Sequence, residues 1–235
     1  MALKVQSKSK EAAEIYIYEE IGEGWYGGIS AKAFAEEVKK LGSVKTIDVF
    51  INSPGGSVFD GVAIYNTLKS NKARIVVHID GLAASIASII AMSGDEVHMA
   101  ANAFMMIHNP WSLMSGFAED YRKEADRLDL IAGTLRDTYA AKSAEKATVD
   151  QITTWMSEET WFTASDALEA GLVDFVSEEL QAAARFDLSK FNYRNMPKDK
   201  TSGESLVDLP GEKKLRARMA RMTMWQQKHK NASAQ

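Results

Sequence analysis

A chain of 235 residues with 46% hydrophobic side chains is long enough for one large packed core, or for one core and an appendage. Its formal charge of −4 argues against nucleic acid or an anionic membrane surface as the main partner. The complete lack of cysteine excludes disulfides, thiolate nucleophiles and cysteine-based metal sites.

Residues 1–12 are polar, lack the apolar stretch of a secretory signal and are expected to form a flexible N-terminal segment. Cytoplasm is the default location. Glu14–Glu19 alternates apolar and charged residues as an edge strand does. The stretch from Gly22 to Gly28, with Trp25 and Tyr26, reads as a loop, after which Ser30 caps a helix reaching about Leu41.

The β-branched run Ile47–Ile51 reads as a strand ending at Asn52-Ser53-Pro54-Gly55-Gly56, and Ser57 then caps a helix through Leu68. Adjacent glycines allow close backbone approach and leave peptide N–H groups free, so this turn is either a plain strand-to-helix connection or part of an oxyanion hole. A second strand, Arg74–Ile79, leads to Gly81-Leu82-Ala83-Ala84-Ser85 and the apolar segment Ile86–Met92, which is too short to span a bilayer. Ser85 at that junction is a helix cap or a nucleophile exposed by the turn. A third run, Ala103–Ile107, ends on His108 with Asn109-Pro110 leaving the sheet. His108 is a structural histidine or a base at the carboxyl edge of the sheet, where open α/β folds bind ligands.

His78 and His98, each flanked by strand residues, read as structural. No histidine pair has zinc-helix spacing, and neither a calcium loop nor a Gly-x-x-x-x-Gly-Lys phosphate loop occurs, so no metal, nucleotide or other cofactor is expected. Phe117 to about Ser143 is a long amphipathic helix, Thr148 caps a short helix to Met156, and Thr163 with Asp166 starts another that Gly171 ends. Leu172–Val176 reads as a last strand. Beyond it, residues 179–235 form a linker and a basic tail running from Lys213 to Lys230. The part from about Asn195 is expected to be dispensable for chemistry.

Taken together, Asn-Ser-Pro-Gly-Gly, Gly-x-Ala-Ala-Ser and Met-Ile-His-x-Pro resemble, in order and spacing, the proteolytic subunit of the Clp protease, and phage and prophage members in particular. The resemblance implies an α/β ClpP/crotonase-like fold of repeated ββα units with a protruding handle helix, housed in residues 13–178. It implies a serine endopeptidase with Ser85 as nucleophile, His108 as general base, and Gly56 and Ile86 as oxyanion-hole donors. Substrate would lie along Gly55, Gly56, Ser57 and Val58. The third triad member falls on Glu159, where the family has aspartate, with Asp174 as the other candidate.

Implied partners are a polypeptide substrate, such as a capsid or scaffold protein, and further copies of the chain in a heptamer or tetradecamer. Head maturation in a cytoplasmic or virion-associated setting is the reading implied by the phage-type phrases. A housekeeping subunit serving a separate ATPase, a crotonase-like acyl-CoA hydratase or isomerase, and an inactive structural homologue are the alternatives.

Overall fold

Apolar and β-branched runs, buried over most of their length, form the largely parallel sheet at the centre of the structure, a computed structural model that describes residues 3–9, 11–23, 28–180, 188, 191 and 193–196. In chain order the elements are β1 (Leu3–Ser7), β2 (Ala12–Ile17), α1 (Ala31–Lys40), β3 (Thr46–Ser53), α2 (Val58–Lys69), β4 (Arg74–Ala84) and α3 (Ile86–Ala91). There follow β5 (Glu96–Ala100), β6 (Phe104–Ile107), α4 (Ala118–Ser143), α5 (Val149–Glu158), β7 (Thr160–Thr163), α6 (Ala164–Glu169) and β8 (Phe175–Ser177). The architecture is mixed α/β. Its sheet runs β1-β2-β3-β4-β5-β8, with β6 beside β4 and β7 beside β6.

Alternation between the two faces is plainest in β3, where Ile47, Val49 and Ile51 are fully buried in the main core. Each such isoleucine or valine contributes about 1.5–3 kcal/mol by leaving water. The opposite face carries an aromatic ladder, because the parallel registers align Tyr16, Phe50, His78, His98 and Phe175. Successive rings stack at centroid distances of 4.8, 4.7, 5.3 and 4.8 Å. Asp48 lies 3.0 Å from the His78 imidazole, and Glu96 lies 3.3 Å from that of His98. Both histidines thus sit in the ladder, well apart from His108 in the sheet.

One feature of β4 positions the site. Val76–Ile79 pair with β5, whereas Leu82–Ala84 pair with β6, and the register against β3 shifts between Ile51 and Ser53. The strand therefore changes neighbours midway and is longer than the expected Arg74–Ile79. Its last residues run out between β3 and β6.

Several expectations need correction. Leu3–Ser7 is a strand rather than a free end, because it pairs antiparallel with β2. Ser9 makes the intervening turn by accepting the Glu11 and Ala12 N–H groups, each at 3.1 Å. β2 is consequently an interior strand and not an edge. The last strand is shifted to Phe175–Ser177, while Leu172 and Val173 pack into the core after the Gly171 turn. Trp25 and Tyr26 and the basic stretch Lys213–Lys230 lie outside the described residues. Among the described residues no helix is long and apolar enough to cross a membrane.

Candidate active site

The three phrases converge at the carboxyl ends of β3, β4 and β6. At the first, Gly55 and Gly56 take φ values of +94° and +143°. A Cβ on Gly55 would lie 2.7 Å from both the Ala84 carbonyl and the Ser85 Cβ, so only glycine lets this turn rest against the end of β4. Ile21 docks on the other side, donating to the Gly55 carbonyl and accepting from the Ser57 N–H, both at 2.8 Å. In a parallel bridge of this kind the intervening Gly56 N–H points the opposite way, away from Ile21.

Ser57 caps α2, its hydroxyl donating to Asp60 Oδ2 at 2.7 Å. Asp60 Oδ1 in turn accepts the Ala31 N–H at 2.8 Å, which ties the start of α1 to the start of α2. Val58 begins α2 and lines a small depression beside Ser85 and His108, together with Ile86, Ile89, Pro110, Leu135 and Tyr139.

Ser85 is at the N-terminus of α3 but makes no side-chain cap. Its backbone takes φ +54° and ψ −130°, a conformation that costs a non-glycine residue about 1–3 kcal/mol. The Ser85 N–H donates to the Met106 carbonyl at 2.9 Å, anchoring the strained turn to β6. The hydroxyl is thereby freed, and Oγ lies 2.7 Å from His108 Nε2. Ile86, the first residue of α3, has an N–H that no helix can satisfy internally.

A buried relay supports this turn from below. Ser88 Oγ donates to the Ser85 carbonyl at 2.5 Å and lies 2.7 Å from the Tyr139 hydroxyl on α4, which therefore donates to it. Burial pushes the Tyr139 hydroxyl well above its ordinary pKa. Ser88→Ala should be the costlier of two relay variants, by about 1–3 kcal/mol, because it strands the Tyr139 hydroxyl in the core. Tyr139→Phe leaves Ser88 bonded to Ser85 and should cost about 0.5–1.5 kcal/mol. Chemical denaturation of the two variants measures the order, and a reversed ranking would refute the relay.

His108 follows β6, and the Asn109 N–H donates to the Met156 carbonyl at 2.9 Å, holding the strand end against α5. β7 pairs antiparallel with β6 so that Thr160 opposes Ile107, and the next position outward sets Glu159 opposite His108. Glu159 takes a left-handed conformation at φ +53° as it ends α5, and its side chain is only 6% exposed. Burial lowers the His108 pKa below its ordinary value, the Glu159 charge pulls it back up, and the Arg194 guanidinium lowers it again. With Nε2 at Ser85, Nδ1 is the nitrogen left for a carboxylate to orient; Glu159 acts on the imidazole through its charge, and among the described residues no hydrogen bond joins the two.

Asp174, the other candidate acid, is engaged elsewhere. Its Oδ2 accepts the Val97 N–H at 2.7 Å and pairs with Lys142 Nζ at 2.5 Å. That carboxylate joins β5, α4 and the start of the last strand.

The sequence reading passed over a further set of contacts. The Arg194 N–H donates to both Glu159 oxygens, at 2.7 and 2.9 Å, and the Asn195 N–H donates to Oε1 at 2.8 Å. Trp161 Nε1 completes the set at 3.3 Å. Tyr193 packs edge-on against His108 and Trp161, and its hydroxyl donates to the Pro54 carbonyl in the glycine turn. With Leu188 it also covers Leu82, Ala84 and Met106. Most of these bonds come from main-chain groups, which carry no residue signature.

Residues 1–180 match the family model described as Clp protease. The chain is 33% identical over 138 residues to ATP-dependent Clp protease proteolytic subunit 1 of Leifsonia xyli, covering 58% of this chain and 69% of that protein. It is 34% identical over 139 residues to proteolytic subunit 2 of Corynebacterium diphtheriae, with the same shares of 58% and 69%. Against proteolytic subunit 1 of Streptomyces coelicolor it is 35% identical over 134 residues, 56% of this chain and 60% of the relative. A family match spanning the whole sheet, with a serine and a histidine in contact at its carboxyl edge, makes this chain a member of the Clp protease family of serine-type peptidases.

Proposed function

We propose that this chain is a ClpP-like serine endopeptidase that works through an acyl-enzyme on Ser85. The observation that carries the reading is the 2.7 Å approach of Ser85 Oγ to His108 Nε2 at a strained turn beside the Gly56 and Ile86 N–H groups. His108 takes the hydroxyl proton as Oγ bonds to the scissile carbonyl carbon. The Gly56 and Ile86 amides hold the oxyanion, and His108 then gives the proton to the leaving amine. Water, deprotonated by the same imidazole, releases the acyl group and restores Ser85. Glu159 keeps the imidazole oriented and stabilises its charged form.

Substrate is read as an extended peptide added beside Gly55, Gly56, Ser57 and Val58, which favours unfolded segments. The apolar residues lining the depression suit a small apolar side chain next to the scissile bond. We read the chain as working in a homo-oligomeric ring, a heptamer or tetradecamer, in the cytoplasm, with α4 as the handle between rings. Trimming of capsid or scaffold protein during phage head maturation rests on the phrases Asn109-Pro110-Trp111 and Glu158-Glu159-Thr160-Trp161. The second reading is a housekeeping proteolytic subunit served by a separate ATPase. The relatives, each named as an ATP-dependent Clp protease proteolytic subunit, favour it.

Reaction with a fluorophosphonate followed by peptide mass spectrometry is the direct test. A single adduct on Ser85 is expected, and an adduct elsewhere or none would sink the assignment. The pH profile offers a second check. Because burial lowers the His108 pKa, the neutral base persists to lower pH, so the acid limb of kcat/KM should have its midpoint below the ordinary imidazole value of about 6.5. A midpoint above that value would contradict a buried base.

A further inference from the structure

The described residues at 193–195 lie beyond the segment that matches the family model, yet they touch more of the site than many residues inside it. Glu159 explains why they matter. Glu159 ends α5 in a left-handed conformation, and glutamate has one more rotatable bond than aspartate to immobilise. Two adjacent main-chain N–H groups and one indole N–H grip its oxygens. Asn195 Nδ2 adds a bond to the Glu158 carbonyl, so the grip extends to the backbone that carries the carboxylate. Tyr193 spans the gap between the glycine turn at Pro54 and the imidazole.

We propose that Tyr193, Arg194 and Asn195 are positioning residues of the peptidase site: the paired Arg194 and Asn195 amides clamp Glu159 in the orientation that His108 needs, and the Tyr193 ring closes the imidazole off from water. The proposal rests on the reading of Ser85, His108 and Glu159 as nucleophile, base and orienting acid. Three donors on the carboxylate remove its rotational freedom before substrate arrives, so no reorganisation is left for the transition state. The charged groups that face His108 are Glu159 from the end of α5 and Arg194 from this segment, with the hydroxyls of Ser85 and Tyr193 beside them.

The test uses the full chain with Asn195→Pro, which deletes one clamping N–H, and Tyr193→Ala, which uncovers the imidazole. With a short chromogenic peptide, Asn195→Pro is expected to lower kcat about tenfold or more while KM changes less than about twofold. That loss should vanish in a Glu159→Gln background, because the carboxylate being clamped is already gone. Tyr193→Ala should move the acid limb of kcat/KM to higher pH as water reaches His108. Unchanged kcat in Asn195→Pro together with an unmoved acid limb in Tyr193→Ala would overturn the proposal, as would a rise in kcat, which would mark the segment as an obstruction. Fluorophosphonate labelling of Ser85 in the unaltered chain, with turnover by Glu159→Gln, separates the failures. With labelling intact, Glu159→Gln slowed and the variants unchanged, only the clamp is wrong; with labelling intact and Glu159→Gln unchanged, the role of Glu159 falls and the clamp with it; with no labelling, the whole site reading falls.

Discussion

Ser85→Ala is expected to remove peptidase activity, lowering kcat by a factor on the order of 10⁶ and leaving only what the oxyanion donors and substrate binding supply. The change should be almost silent structurally. Ser85 Oγ has His108 as its partner and caps no helix, and alanine bears the same Cβ through the same positive φ. Assembly and thermal midpoint should therefore match the unaltered chain. Active-site titration with a fluorophosphonate and turnover of a short peptide give the two readouts. A variant that still cleaves at the original rate would mean that another residue is the nucleophile, whatever the geometry at the end of β4.

Glu159→Gln should have the second largest effect, a fall in kcat on the order of 10²–10⁴-fold with little change in KM. Two physical reasons combine. The neutral amide no longer stabilises a positive imidazole, and its NH₂ group must face main-chain donors that now point at the Glu159 oxygens. With the amide oxygen taking the place of Oε1, the NH₂ group still faces the Arg194 N–H, a donor against a donor. Asp174→Asn makes the internal control. It weakens the Val97 and Lys142 contacts, so it should lower stability while leaving kcat within severalfold. Steady-state kinetics on both variants decides the point, and equal kcat for Glu159→Gln and the unaltered chain would leave Ser85 and His108 as a dyad.

How far the sequence reveals this site depends on what each part is made of. The glycine turn, the Ser57 cap, the junction serine and the histidine after β6 are legible because each is a residue type tied to a backbone event. The long α4 is legible through its periodicity, and the Thr163–Asp166 capping box through its spacing. β7 was not: Thr-Trp-Phe-Thr is too short to show an alternation and lies between two helical patterns. Without β7 there was no register to set Glu159 opposite His108. The partner change in β4 was also hidden, since a continuous apolar run looks the same whichever strand lies beside it. Asn195 was grouped with a polar tail for a related reason. Its contribution is a peptide N–H, and every non-proline residue has one.

The clamp on Glu159 has a consequence in time. Asn195 follows Glu159 by 36 positions, so a ribosome adding about 5–20 residues per second makes it roughly 2–7 s later. Over that interval Ser85, His108 and Glu159 have all been synthesised, but Glu159 lacks its two main-chain donors and can hold only the Trp161 indole. If the clamp works as proposed, a nascent subunit is a poor peptidase toward itself and toward neighbouring chains still emerging, and full competence follows the folding back of the later segment. Measured on stalled nascent chains, Ser85 should become reactive toward a fluorophosphonate in a step set by release of Asn195 rather than of Glu159.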